Sequence, residues 1–397
     1  MRIAFLCFEA FHRGGIKTYS RELLNGIAAA GHQVVLFSPS PPPGASPGLD
    51  TAVQVQSVNV TNLRMTSALA YWWNMPRVFH RAERRIGRFD IVHSNVYADL
   101  TLTRRAAPRV RVVTVYHLGS TAAASAGLRL PSRLLRLSSE YGPAVIAEGV
   151  CLKRADHIIA ISNFTRSDVL KRYPDVASEQ VSVIYLGTTL ESRLTSAEEK
   201  TRLRRSWGIV NGERIALGVG RLEDRKGIPF LLQAISHVHS VRNLKLVLVG
   251  SGPTDAYEAI ARRLGIADRV VFAGYVDDST LRVAYRIADV LVHAASMEGF
   301  GLGVADAVAI GLPVVATRVG SIPEVVTDGV DGYLVDYGDP KAFADALTKV
   351  LDGTLLVGEG SRSPTSKRFS WETTVRATLD LYERLLSVSI PRSVHSN

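Results

Sequence analysis

Short runs of β-branched and apolar residues alternate with stretches of helical period along the whole chain, and this alternation constrains the fold more than any other feature. It demands parallel sheets with helices on both faces. In the first half the strand-like runs are 2–8, 33–37, 53–58, 90–93, 110–116, 157–160 and 181–184. The pattern then restarts at 214–219, 244–249, 270–273, 290–293, 313–316 and 332–335. Two successive sets imply two similar α/β domains, and 397 residues exceed what one hydrophobic core usually organises. The polar stretch 186–206 is the expected linker, dividing an N-terminal domain at 1–190 from a C-terminal domain at 191–370. A Pro-rich loop is expected at 38–48 and a Gly/Ser/Thr-rich loop at 352–367, followed by a C-terminal helix at 371–388 that crosses back to the first domain. Beyond Ile390 the tail is expected to fray.

Cys7 and Cys151 stand far apart with no CxxC spacing or histidine partner, which argues against a disulfide framework or a structural zinc site and fits a reducing cytoplasm. The opening MRIAFLCFEAFHRGG breaks its apolar run at Glu9, so it reads as a buried strand rather than a signal peptide. No later run is long and apolar enough to span a bilayer. The formal charge of +10 is lopsided: residues 1–190 hold 22 Lys+Arg against 12 Asp+Glu, while the remainder holds 25 of each. Such an excess bears on partners, and anionic membrane, nucleic acid and acidic substrates are the candidates. In PRVFHRAERRIGRF, helical spacing puts Arg77, Arg81, Arg84, Arg85 and Arg88 on one face and Val78, Ala82, Ile86 and Phe89 on another. The apolar face suits burial on a sheet. The arginines are either solvated or, with Trp72 and Trp73 upstream, placed to meet anionic lipid headgroups. No nucleic-acid module or aromatic basic ladder accompanies them.

Chemistry concentrates in two segments. In GVGRLEDRKGIPFLLQAI a strand ends near Gly220 and a helix begins near Gly227, with Arg221 and Lys226 on the turn. Two cations beside a helix start, beyond the carboxyl end of a strand, suit a diphosphate; a solvated basic turn is the alternative. In HAASMEGFGLGVADAVAIGLPVVAT, Glu298 lies in a loop with Gly299, Gly301 and Gly303, eight residues before Asp306 on the following helix. Carboxylates accept hydroxyl hydrogen bonds from sugar or ribose, and backbone N–H groups of such a loop can add an anion cradle. Gly14 and Gly15 follow the first strand and open a helix, as a tight turn or as a place where a ligand approaches the backbone. His117 stands at the carboxyl edge of its strand, where the cleft between domains is expected; the other histidines read as surface or core.

The order GGIKTYSREL, ISNFTRSDVL, GVGRLEDRKG, LVLVGSGP, FAGYVDD, EGFGLGVADA and GSIPEVVTDGVDGYLV resembles the retaining glycosyltransferases of the GT-B fold, specifically glycosyltransferase family 4. The resemblance spans most of the chain and is most specific over 217–335. It implies two Rossmann-like domains whose parallel sheets face an interdomain cleft. It implies that Arg221 and Lys226 bind the donor diphosphate, that Glu298 is the first Glu of an E-x7-E motif, and that His117 lies beside the transferred sugar. It carries Gly14, Gly15, Gly220, Gly250, Gly252, Tyr275, Val276, Gly299, Phe300, Gly301 and Leu302 to the donor site. The second Glu of the motif, which in the family binds the ribose hydroxyls, falls on Asp306, which keeps the charge on a side chain shorter by roughly 1.5 Å; a difference in donor affinity or donor choice is the expectation. Gly303 replaces a usual Pro, and Tyr185, Leu186 and Gly187 replace a usual PNG turn.

The implied activity is retaining transfer of a hexose-like sugar from a nucleoside-diphosphate sugar to a hydroxyl of a saccharide or lipid-linked acceptor, in cell-surface glycan or glycolipid synthesis. Since two cations meet the diphosphate and no hydrophobic-DxD segment occurs, no metal or other cofactor is expected. The expected location is cytoplasmic, with the inner membrane face as a peripheral contact and no nucleic acid as partner. A non-catalytic nucleotide-sugar-binding scaffold is the competing reading, with Asp306 in its favour.

Overall fold

The computed structural model describes residues 1–11, 14–41, 48–60, 64–102, 110–119, 142–188, 190, 195–239, 241, 243–353 and 368–389. The chain divides into two compact units, Met1–Leu186 with Trp371–Asn397, and Gly187–Ser370.

In the first unit, β1 (Arg2–Leu6), β2 (Gln33–Ser38), β3 (Val53–Ser57), β4 (Ile91–Asn95), β5 (Val110–Val115), β6 (His157–Ala160) and β7 (Val181–Val183) form one sheet. Its order is β3-β2-β1-β4-β5-β6-β7, with every pairing parallel. In the second unit, β8 (Arg214–Val219), β9 (Leu244–Val249), β10 (Val270–Gly274), β11 (Val290–His293), β12 (Val314–Thr317) and β13 (Gly332–Val335) run β10-β9-β8-β11-β12-β13, again all parallel. Central strands such as β4, β5, β11 and β12 are buried at every residue, because helices cover both faces; β5, β11 and β12 are accordingly mostly apolar, while β4 also buries His93, Ser94 and Asn95. The outer strand β3 is mostly exposed and alternates with Gln. In each sheet the strand order reverses once: at β1/β4 in the first unit and β8/β11 in the second. These are the positions where open α/β sheets leave a crevice at the strands' carboxyl ends.

The connecting helices are α1 (Gly15–Ala29), α2 (Arg64–Ile86), α3 (Gly142–Arg154), α4 (Asn163–Arg172), α5 (Ala197–Ser206), α6 (Ile228–His237), α7 (Asp255–Arg263), α8 (Asp278–Ile287), α9 (Leu302–Ala309), α10 (Ile322–Val325), α11 (Pro340–Leu351) and α12 (Trp371–Ser389). Although α12 follows the second unit in sequence, it packs on α1 and β5 of the first. A buried chain of hydrogen bonds anchors it there: the Tyr382 hydroxyl meets His93 Nδ1 at 2.5 Å, His93 Nε2 meets Thr114 Oγ1 at 2.6 Å, and Thr114 Oγ1 meets Tyr19 Oη at 3.0 Å. Burial pushes the His93 imidazole down to about 3, so the ring is neutral at physiological pH.

Two local expectations change. The stretch 186–206 is not linker throughout, since Ala197–Ser206 is α5, opened by a capping box in which Ser196 and Glu199 satisfy each other's backbone N–H. Its residues are polar all round, so no apolar stripe announces the helix. The arginine-rich helix α2 stops at Ile86, because Gly87 takes a left-handed φ of +91°. Arg88 and Phe89 therefore lie beyond it. Parts of the loops expected at 38–48 and 352–367, of the linker, and the tail from Ile390 fall outside the described residues.

Candidate functional site

At the reversal point of the second sheet, the loops leaving β8 and β11 are laced together. Ser296 N donates to Arg225 O at 3.0 Å, and Gly227 passes so close to the other loop that a Cβ there would stand 1.8 Å from Ala294 O. Gly227 also adopts a φ of +71°, so glycine is required on both counts. This lacing sets Lys226 against Glu298, with Nζ 2.5 Å from Oε2, both side chains largely buried. Ser321 N holds the Glu298 carbonyl at 3.1 Å from the other side. His293, the last residue of β11, brings Nε2 to 3.2 Å from the same Oε2, within ion-pair reach but outside hydrogen-bond geometry. Burial alone would raise the Glu298 carboxyl, yet the charge and hydrogen bond of Lys226 together with His293 outweigh it and hold the group well below the ordinary carboxylate range. Arg221 reaches outward with its side chain 58% exposed, 3.5 Å from Glu223, and Glu223 is shared with Arg225 at 2.7 Å. Gly220, Arg221, Lys226 and His293 line a common recess.

The helices that open from these glycine loops lack the caps found elsewhere. Helices α4, α5, α8 and α11 start on Ser162, Ser196, Asp277 and Asp339, each accepting a backbone N–H. By contrast α1, α6 and α9 begin on Gly14, Gly227 and Gly301, with no side-chain cap and no acidic residue in the first turn. An uncapped helix start with its positive dipole end is a ready site for an anion.

The other expected donor residues separate by environment. Gly250 and Gly252 sit where a Cβ would strike Gly220 O at 1.7 Å and Leu222 O at 2.3 Å, so close packing of the β8 and β9 ends accounts for both. Gly299 lies in the loop with Glu298, and Leu302 begins α9. The Phe300 ring is buried, 5.3 Å from that of Phe369, so any ligand contact is left to its backbone. Asp306 is 4% exposed on α9, in electrostatic reach of buried Tyr285. Tyr275, 49% exposed, and Val276 follow β10, two strands away from β8. In the first unit Gly14 and Gly15 follow β1, and a Cβ on either would meet nothing within 4 Å. His117 is exposed two residues beyond the end of β5. The structure thus gathers Arg221, Lys226 and Glu298 in one unit and places His117, Gly14 and Gly15 in the other. Neither His293 nor Arg225 stands out in the sequence. His293 nevertheless shares with His117 a place at the carboxyl end of a strand.

Residues 13–192 match the family model Glycosyltransferase Family 4, and residues 199–365 match Glycosyl transferases group 1. The chain belongs to these glycosyltransferases. Over 394 residues the glycosyltransferase is 29% identical to D-inositol 3-phosphate glycosyltransferase of Xylanimonas cellulosilytica, covering 93% of this chain and 91% of that protein. Its fold superposes on sucrose-phosphate synthase from Thermosynechococcus elongatus with a TM-score of 0.78 at 25% identity, over 98% and 99% of the two chains. The Anabaena HepE structure in complex with UDP-glucose gives 0.75 at 19% identity, over 97% and 100%. With its two parallel-sheet units, the glycosyltransferase has the GT-B fold. Among the described residues, none of its helices is long and apolar enough to cross a membrane.

Proposed function

We propose that the glycosyltransferase moves a hexose-like sugar from a nucleoside diphosphate to a hydroxyl of a saccharide or lipid-linked acceptor, with retention at the anomeric carbon, in cell-surface glycan or glycolipid synthesis. The observation that carries this reading is the grouping of Arg221, Lys226 and Glu298 at the β8/β11 reversal point, flanked by two uncapped helix starts. UDP-glucose in the fold neighbour HepE supports a sugar nucleotide as donor. On binding, the diphosphate draws Lys226 away from Glu298, which is then released to accept hydrogen bonds from sugar hydroxyls while His293 stays beside it. Arg221 swings onto the phosphates from its exposed position. The acceptor oxygen forms the new bond to the anomeric carbon as the bond to the diphosphate breaks, and the acceptor proton passes to a leaving phosphate oxygen. Arg221, Lys226 and the helix starts stabilise the growing charge there, and His117 orients the sugar. These cations serve in place of a metal, so EDTA is expected to leave the rate unchanged.

The decisive experiment offers UDP-, GDP- and ADP-sugars with a panel of lipid and saccharide acceptors, follows nucleotide release, and reads the product anomer by NMR. Tight donor binding with no turnover across the panel would establish the scaffold reading instead; an inverted product would end the retaining one.

An anionic membrane surface belongs to the same proposal. On α2 the i, i+4 stripe Leu69, Trp73, Arg77, Arg81 and Arg85 faces solvent, with Leu69 60% and Trp73 73% exposed. Trp72 is excluded from that stripe, because its indole N–H donates to Tyr97 O at 3.0 Å.

A further inference from the structure

The turn that carries His117 is held from behind by a buried carboxylate. Glu148, on α3, is fully buried; its Oε2 accepts the Gly119 N–H at 2.8 Å, and its Oε1 accepts the Tyr173 hydroxyl at 2.7 Å. The neighbouring Gly149 leaves room for the Tyr173 ring, since a Cβ there would stand 3.2 Å from Cε1. The clamp therefore joins three elements: α3, the residue closing α4, and the turn after β5.

The charges facing Glu148 oppose each other. From α4 come Asp168 and Arg172, bound to each other at 2.7 Å, and beside β4 lies the neutral Tyr97. Among the described residues no cation is committed to it, and the carboxyl is pushed up to about 7 by burial, against the opposing pull of the Tyr173 and Gly119 hydrogen bonds. Ionised, the group binds the Gly119 amide through a charge-assisted hydrogen bond; protonated, it offers a neutral carbonyl and a weaker one. An amide in its place accepts at a single atom.

We propose that Glu148 is the positioning residue for His117: through the Gly119 amide its ionised carboxylate fixes the turn that presents the imidazole, and protonation slackens that turn. The inference rests on the reading of His117 as a group beside the transferred sugar, and it adds a link between pH and transfer.

The test uses the full chain and compares wild type, Glu148→Gln, Tyr173→Phe and His117→Ala from pH 5.5 to 8.5, following kcat, donor KM and the Gly119 amide by 15N NMR. Wild type should lose about tenfold in kcat from pH 8 to pH 6 at nearly constant KM, with the amide resonance moving at the same midpoint. Glu148→Gln should be slow and flat over that range. Tyr173→Phe removes a bond that favours ionisation, so its midpoint should move to higher pH; it also serves if Glu148→Gln fails to fold. A wild-type pH profile in Glu148→Gln, or a Gly119 amide that does not titrate, overturns the proposal. Full kcat in His117→Ala, with the amide still titrating in wild type, overturns the role of His117 and with it the positioning function, while leaving the clamp as a structural fact.

Discussion

Lys226 and Glu298 are separated by 72 positions in sequence and by 2.5 Å in space, and much of the expected chemistry turns on that one contact. Removing the cation should damage catalysis more than folding. Lys226→Ala is expected to lower kcat/KM about 10²- to 10³-fold, the loss typical of one charge-stabilising donor, and to weaken donor binding in calorimetry. Full activity in that variant would sink the phosphate assignment. Glu298 makes a separate prediction about acid. Its folded-state value lies well below the ordinary 4.5, so its stabilisation is complete above 4.5 and is lost as pH falls through the depressed value. Thermal unfolding of wild type should therefore decline more steeply below pH 4.5 than that of Glu298→Gln; parallel curves would show that the pair adds no pH-dependent stability.

Glycine loops that look alike in sequence differ as elements. Gly227 and Gly15 each open a helix after a strand, but the first is pinned against Ala294 O and the second faces open space at an ordinary φ. Gly227→Ala should cost about 3 kcal/mol or more in chemical denaturation. Gly15→Ala should leave stability unchanged or raise it by up to about 1 kcal/mol, while reducing transfer about tenfold or more by filling the space a ligand needs. Undiminished transfer in Gly15→Ala would return that loop to a plain turn. A similar contrast governs what could be read from sequence. The β-strands are legible because strands buried on both faces carry apolar runs, such as IAFL in β1. Helix α5 was not, because it buries no residue and starts on a capping box rather than an apolar stripe. Residues grouped by local motif were found, whereas His293 and Glu148 owe their significance to partners on other elements. The return of the C-terminal helix is expected from the sequence, but the Tyr382–His93 bond that anchors α12 is not: Tyr382→Phe should cost about 1–3 kcal/mol by leaving buried His93 Nδ1 without its partner, measurable by urea titration.

The whole molecule carries its excess positive charge within residues 1–190. If α2 meets an anionic surface, binding to vesicles containing phosphatidylglycerol should fall steeply with salt, and exchanging Arg81 and Arg85 for Glu should abolish it without altering transfer to a water-soluble acceptor. Binding that ignores salt would assign the arginines to solvent. The return of α12 to the first unit has a different consequence, one of timing. On the ribosome, the seven strands of that unit are complete by Val183, but Tyr382 is made only after the entire second unit. At the usual pace of synthesis the finished sheet waits roughly ten to forty seconds for Tyr382. During that interval the newborn first unit leaves uncovered the side of α1 on which α12 will later pack, so apolar surface is open to unwanted association until the last helix is made.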